Sequence, residues 1–286
     1  MKKWAIAAVL YLALVVVGYS VYAANFKEDD GRGKMGMGSD DTSHKSEEAS
    51  GSMESMDGME NSSHDHGAVQ GLYGDVFVKV GYENGKVRIS LRNDQGKPVD
   101  HLEINHEKKM HLIVVDEHLD KYYHLHPERV GAGEYEAAFQ FPEGSYKAFV
   151  DIKPFKMNYH VSPKSFQVGS ATGGHGHDNK LTPDGILAKT VDGKKVVMEM
   201  SSAKAGTPVT LKFNLDESSL EPYLGAAGHV VILDEQGEHY LHVHPANEKK
   251  PVFKTEFIEP GIYKIWAEFK QDGKVRVFPF VVEIMK

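Results

Sequence analysis

Two stretches decide how this 286-residue chain folds: MHLIVVDEHLDKYYHLHP at residues 110–127 and GHVVILDEQGEHYLHVHP at residues 228–245. Laid side by side, they place His111 on His229, His124 on His242 and His126 on His244. The likeness continues downstream, where FPEGSYKAFVDIK at 141–153 matches IEPGIYKIWAEFK at 258–270 and sets Tyr146 on Tyr263 and Phe149 on Trp266. Self-similarity at a nearly constant offset, 118 residues for the histidines and 117 for the aromatics, means one structural unit used twice.

Each copy reads as strands. Around Asn84-Gly85 and Asp94-Gln95-Gly96 the segment DVFVKVGYENGKVRISLRNDQGKPVD alternates apolar and polar residues, the mark of half-buried strands joined by tight turns. The second copy repeats the pattern in GKKVVMEM, TPVTLKFNL and KVRVFPFVVEI, and no helical period follows the N-terminal segment. The expectation is an all-β chain: tandem duplicated immunoglobulin-like or cupredoxin-like β-sandwiches at residues 71–168 and 184–286. A Gly/His linker at 169–183, carrying His175 and His177, joins them.

The N-terminus reads differently. Lys2 and Lys3 precede an uncharged apolar run from Trp4 to Ala24, an export signal long enough to serve as a membrane-spanning anchor rather than a cleaved signal peptide. Residues 1–25 are therefore expected to tie the chain to the membrane, with the body outside the cytoplasm; cleavage would instead leave it secreted. Residues 26–70 are too polar to bury a core and read as a disordered stalk. Between Phe26 and His66 this stalk carries 11 acidic and 4 basic residues, against a net charge of −8 for the whole chain. The folded part is thus near neutral, and nothing in it suggests nucleic acid binding, which would want a basic face.

Met35, Met37, Met53, Met56 and Met59 punctuate the stalk together with His44, His64 and His66. Thioethers suit Cu(I) and imidazoles suit Cu, Zn and Ni, so the segment is a candidate for loose metal capture; the bland alternative is a low-complexity spacer. The chain has no cysteine, so disulfides, thiolate ligands and thiol nucleophiles are excluded.

Strand parity makes the duplicated histidines a candidate metal site. Side chains alternate across a strand, so His242 and His244 share a face, as do His124 and His126. An Asp234–Gly237 hairpin loop sets His229 opposite His242, and a two-residue Gln236-Gly237 turn sets it opposite His244. Either way three imidazoles share one face. In the first copy a four-residue Glu117–Asp120 loop brings His111 opposite His126, whereas a five-residue loop brings it opposite Leu125. The metal candidates are therefore His229, His242 and His244 in one repeat and His111, His124 and His126 in the other, with His106, Met110, Met157 and His160 as further donors in the first half. Pro127 and Pro245 end their strands and suggest an accessible rim. Tyr146, Tyr263, Phe149 and Trp266 read as core, and Asp116, Asp234, Glu128 and Glu248 as turn or rim charges.

With HLIVVDE…HLHP and HVVILDE…HVHP, the chain resembles bacterial exported His-rich β-sandwich proteins and, loosely, the CopC-like and YtkA-like copper-handling families. That resemblance implies a non-enzymatic role in copper binding or delivery, with His for Cu(II) and Met for Cu(I), and a copper transporter or oxidase as partner. Zinc and nickel suit the same donors. Two rival readings stand beside it. One is a cupin-like metalloenzyme using His242, His244 and Glu248. The other is a metal-free surface interaction module.

Overall fold

The computed structural model describes residues 74–286 apart from residue 106, residues 171–179, residue 244 and residues 246–249. All of them lie in one compact unit, Glu60–Lys286. Residues 1–73, where the anchor and the Met/His stalk are expected, and His175, His177, His106, His244 and Glu248 fall outside the described residues. Among the described residues, no helix is long and apolar enough to cross a membrane.

The first repeat contains β1 (Val76–Glu83), β2 (Lys86–Asn93), β3 (Leu102–Glu103), β4 (Met110–Asp116), β5 (Tyr122–Leu125), β6 (Glu128–Gly131), β7 (Glu134–Ala138), β8 (Gly144–Pro154) and β9 (Lys164–Val168). The second contains β10 (Ala188–Val191), β11 (Lys194–Met200), β12 (Pro208–Asn214), β13 (Leu220–Glu221), β14 (His229–Asp234), β15 (Tyr240–Val243), β16 (Val252–Glu256), β17 (Gly261–Gln271) and β18 (Lys274–Ile284). Each repeat is a sandwich of two antiparallel sheets. In the first, β1-β2-β7-β6 faces β5-β4-β8, with β3 and β9 added to β8; in the second, β10-β11-β12-β16 faces β15-β14-β17, with β13 and β18 added to β17. The duplicated sequences thus fold into duplicated sheets. Among the described residues they differ at an outer strand, β6 in one and β10 in the other.

Why the repeats join follows from the burial of β4 and β14. Every residue of both strands is buried, as a continuous apolar run demands when both faces of a strand are covered. On β4, Met110, Leu112 and Val114 point into their own sandwich, while Ile113 and Val115 enter a separate cluster with Phe149, Val231, Leu233 and Trp266. On β14, Val230 and Ile232 point inward and Val231 and Leu233 outward. The outer faces of the two inner sheets therefore pack against each other.

Aromatic residues lock that interface reciprocally. Tyr122 of the first repeat stacks on Trp266 of the second at 5.1 Å, and Tyr240 of the second stacks on Phe149 of the first at 5.1 Å. At the perimeter Lys147 pairs with Glu238 at 2.5 Å and Lys264 with Asp120 at 3.6 Å. Burial of each large aromatic contributes about 1.5–3 kcal/mol, whereas half-exposed pairs contribute about 1 kcal/mol or less. Apolar packing carries the joint.

Phe149 and Trp266 are thus core residues, although of the inter-repeat core. Tyr146 and Tyr263 are buried in their own sandwiches and donate to Pro142 O and Glu259 O, each at 2.8 Å. Asp116 and Asp234 are turn residues: Asp116 Oδ1 accepts the amides of Asp120 and Lys121, and Asp234 Oδ1 those of Glu238 and His239.

Candidate metal centre

The outward faces carry polar residues one pleat beyond the aromatics. From β4 comes His111, from β5 His124, from β8 Asp151, from β14 His229, from β15 His242 and from β17 Glu268. All belong to the face shared by Ile113, Phe149, Val231 and Trp266, because alternation puts positions two apart on one side. Gly228 admits β14 to this arrangement: a Cβ there would stand 2.5 Å from Glu268 O and 2.6 Å from the Phe269 ring.

Hairpin register delivers the histidines as parity requires. In the second repeat Leu233 faces Tyr240, Val231 faces His242 and Val230 faces Val243. This is the register of the two-residue turn, not of the four-residue loop. In the first repeat Ile113 faces His124 and Leu112 faces Leu125, the register of the Glu117–Asp120 loop. His111 lies 5.1 Å from the ring of His126, centroid to centroid.

Two sequence expectations need correction. The first is the pair of separate sites, one per repeat: His111, His124, His229 and His242 form one cluster across the joint. Their six centroid separations span 5.0–6.2 Å. Four imidazoles ligating a single ion at about 2.0 Å would have centroids about 5 Å apart. The second correction concerns the rim. His111 and His229 are 0 % exposed and His242 6 %, because the opposite repeat covers the ends of the strands. Met110 is also removed as a donor, since its side chain points into the first sandwich.

The rings are held from outside. Nε2 of His111 donates to Asn105 O at 3.1 Å, Nδ1 of His124 donates to Glu268 Oε2 at 2.7 Å, and Nδ1 of His242 donates to Asp151 Oδ2 at 2.8 Å. With the outer nitrogens engaged, His111 Nδ1, His124 Nε2 and His242 Nε2 lie on the inner side, where His111 Nδ1 and His124 Nε2 share a hydrogen bond. His111 Nδ1 and His124 Nε2 are 3.0 Å apart, close to the about 3.3 Å between two nitrogens on one tetrahedral ion. His111, His124 and His242 offer donor atoms within 4.8 Å of one another, and so do His124, His229 and Glu268. Outer nitrogens tied to carboxylates and carbonyls are the usual support of metal-ligating histidines.

Asp151 and Glu268 are the functional residues that the sequence reading missed. Asp151 also accepts from Asn105 Nδ2 at 2.9 Å and from the Tyr240 hydroxyl at 3.3 Å. They occupy the same column of the duplicated segment, FVDIK against WAEFK. An acid kept in that column between apolar neighbours was the available signal.

The surroundings favour the neutral form of His111 and His126. Burial, then the neighbouring charge of His124, holds His111 below its ordinary pKa. Burial, then His124 and His111, pushes His126 down to about 3. Burial keeps Tyr122 and Tyr240 as phenols, reinforced by Glu268 and Asp151 respectively, and lifts Tyr223, beside His229, to about 12.

The fold and this cluster define a class: a duplicated β-sandwich protein with a buried histidine centre shared between its repeats. The chain belongs to the family described as a domain of unknown function (DUF8832), which matches residues 69–170 and 189–286, once per repeat. No curated protein matches its sequence. Among solved structures, a two-domain fibronectin type-III segment of chicken tenascin is 11% identical, with 73% of this chain and 98% of that chain covered and a TM-score of 0.22. The Escherichia coli adhesin FdeC is 12% identical, with 75% and 65% covered and a TM-score of 0.23. The Yersinia pseudotuberculosis adhesin InvE is 12% identical, with 74% and 61% covered and a TM-score of 0.22. The fold description rests on the strand pairing itself.

Proposed function

We propose that this chain is an extracytoplasmic transition-metal binding protein, with copper as its ion, that holds metal for storage, delivery or sensing at the cell envelope. The observation that carries this reading is the convergence of His111, His124 and His242, each anchored from outside through one ring nitrogen, with donor atoms within 4.8 Å of one another. His229 lies beside this set, its ring 5.8–6.2 Å from the other three centroid to centroid, and groups with His124 and Glu268. An all-imidazole set suits Cu, Zn and Ni, and among divalent ions affinity peaks at Cu(II). Burial favours holding an ion over releasing it quickly. The apolar N-terminal run, read as an export anchor, supports a site outside the cytoplasm.

The test is metal analysis of purified full-length protein titrated with Cu(II), Zn(II) and Ni(II), beside His124→Ala/His242→Ala. One tightly held ion per chain, lost in the double variant, is the expected result. Equal metal content in both proteins would overturn the reading.

A further inference from the structure

Resting on that reading, we infer that the centre is built for a divalent ion and discriminates against Cu(I), and that Asp151 and Glu268 set this preference. Both carboxylates are buried, Glu268 at 3 % exposure and Asp151 at 9 %. Each lies across the joint from the imidazole it holds: Glu268 of the second repeat on His124 of the first, and Asp151 of the first on His242 of the second.

The argument is one of charge. His111, His124 and His242 as metal ligands are neutral rings, and the two carboxylates bring two formal negative charges to the same buried volume. A divalent ion brings the sum of these groups to zero. Cu(I) leaves one negative charge in a desolvated layer between two sheets, where uncompensated charge is costly. Donor chemistry works in the same direction. The assembled groups offer nitrogen and carboxylate oxygen, whereas Cu(I) favours thiolate and thioether, and the nearby Met110 thioether lies on the opposite face of β4. Asp151 and Glu268 are therefore positioning residues that also determine which ionic charge the site accepts.

The experiment compares Zn(II) with Cu(I), two ions that share a filled d-shell and differ in charge and softness. Affinities are measured at one fixed pH by competition with chromophoric chelators, anaerobically for Cu(I), on full-length wild type, Asp151→Asn and Glu268→Gln. The His124→Ala/His242→Ala protein serves as the reference for ions bound elsewhere in the chain. Both charge variants keep a side-chain oxygen able to accept the imidazole N–H. Each is expected to lose about 10- to 100-fold in Zn(II) affinity, with Cu(I) affinity at the histidine centre unchanged or increased. A merely structural role would lower both affinities together, and that result would overturn the inference. Wild type that holds Cu(I) at the centre as tightly as Zn(II) would also overturn it, while leaving metal binding intact. Wild type that binds neither ion at the centre would sink the parent reading as well.

Discussion

His124 and Glu268, 144 residues apart in the chain, meet across the joint between the repeats at 2.7 Å, with both side chains almost wholly buried. His242 and Asp151 repeat the contact in the reverse sense at 2.8 Å. Each repeat thus orients a histidine of the other, and the centre exists only while the two inner sheets stay together.

The first prediction concerns that joint. Trp266 is 2 % exposed and stacks on Tyr122, so Trp266→Ala should cost about 3–5 kcal/mol of stability. Lys147→Ala, at the half-exposed perimeter pair with Glu238, should cost about 1 kcal/mol or less. Urea unfolding followed by circular dichroism checks both; similar losses for the two would contradict an interface held by apolar packing.

A second prediction is the pH response of the metal-free protein. His126 is held at about 3 against an ordinary 6.5, first by burial. The folded state then binds fewer protons than the unfolded one, so this stabilising contribution is complete above 6.5 and is lost as pH falls from 6.5 toward about 3. The urea midpoint should decline from pH 7 to pH 4, and more shallowly in His126→Gln. Equal slopes would show that His126 does not contribute.

Metal binding should also weaken with acid, because protons compete for the same ring nitrogens as pH falls through about 6.5. If an ion occupies the centre at 100 times its dissociation constant, it should add about 2.7 kcal/mol of apparent stability. Thermal melts with and without a chelator measure this. The shift should vanish in His124→Ala/His242→Ala.

Strand alternation made much of this legible. Duplication, sandwich architecture and the shared face of the histidines all follow from period-two patterning and equal spacing in the two copies. What escaped was the covering of the outer faces. HLIVVDE and HVVILDE leave no polar side for solvent, and that continuity meant burial on both faces and hence a partner sheet. Pro127 and Pro245 do end the strands, but a strand end is a rim only when nothing lies over it. Here the other repeat packs on the same outer face, and two expected rim sites become one buried cluster.

That distinction yields the last prediction. If each repeat held its own ion, removing a histidine from one repeat would leave the other ion in place, and stoichiometry would fall from two to one. In a composite centre the candidate ligands come from both repeats: His111 and His124 from one, His242 from the other. His124→Ala alone and His242→Ala alone should therefore each take stoichiometry from one to zero at ion concentrations that saturate wild type. Both rings are buried, so each variant should also lose some metal-free stability, and near-ultraviolet circular dichroism must first establish that it is folded. A folded His242→Ala protein still holding one ion through the first repeat would refute the shared centre, whatever metal was used to find it.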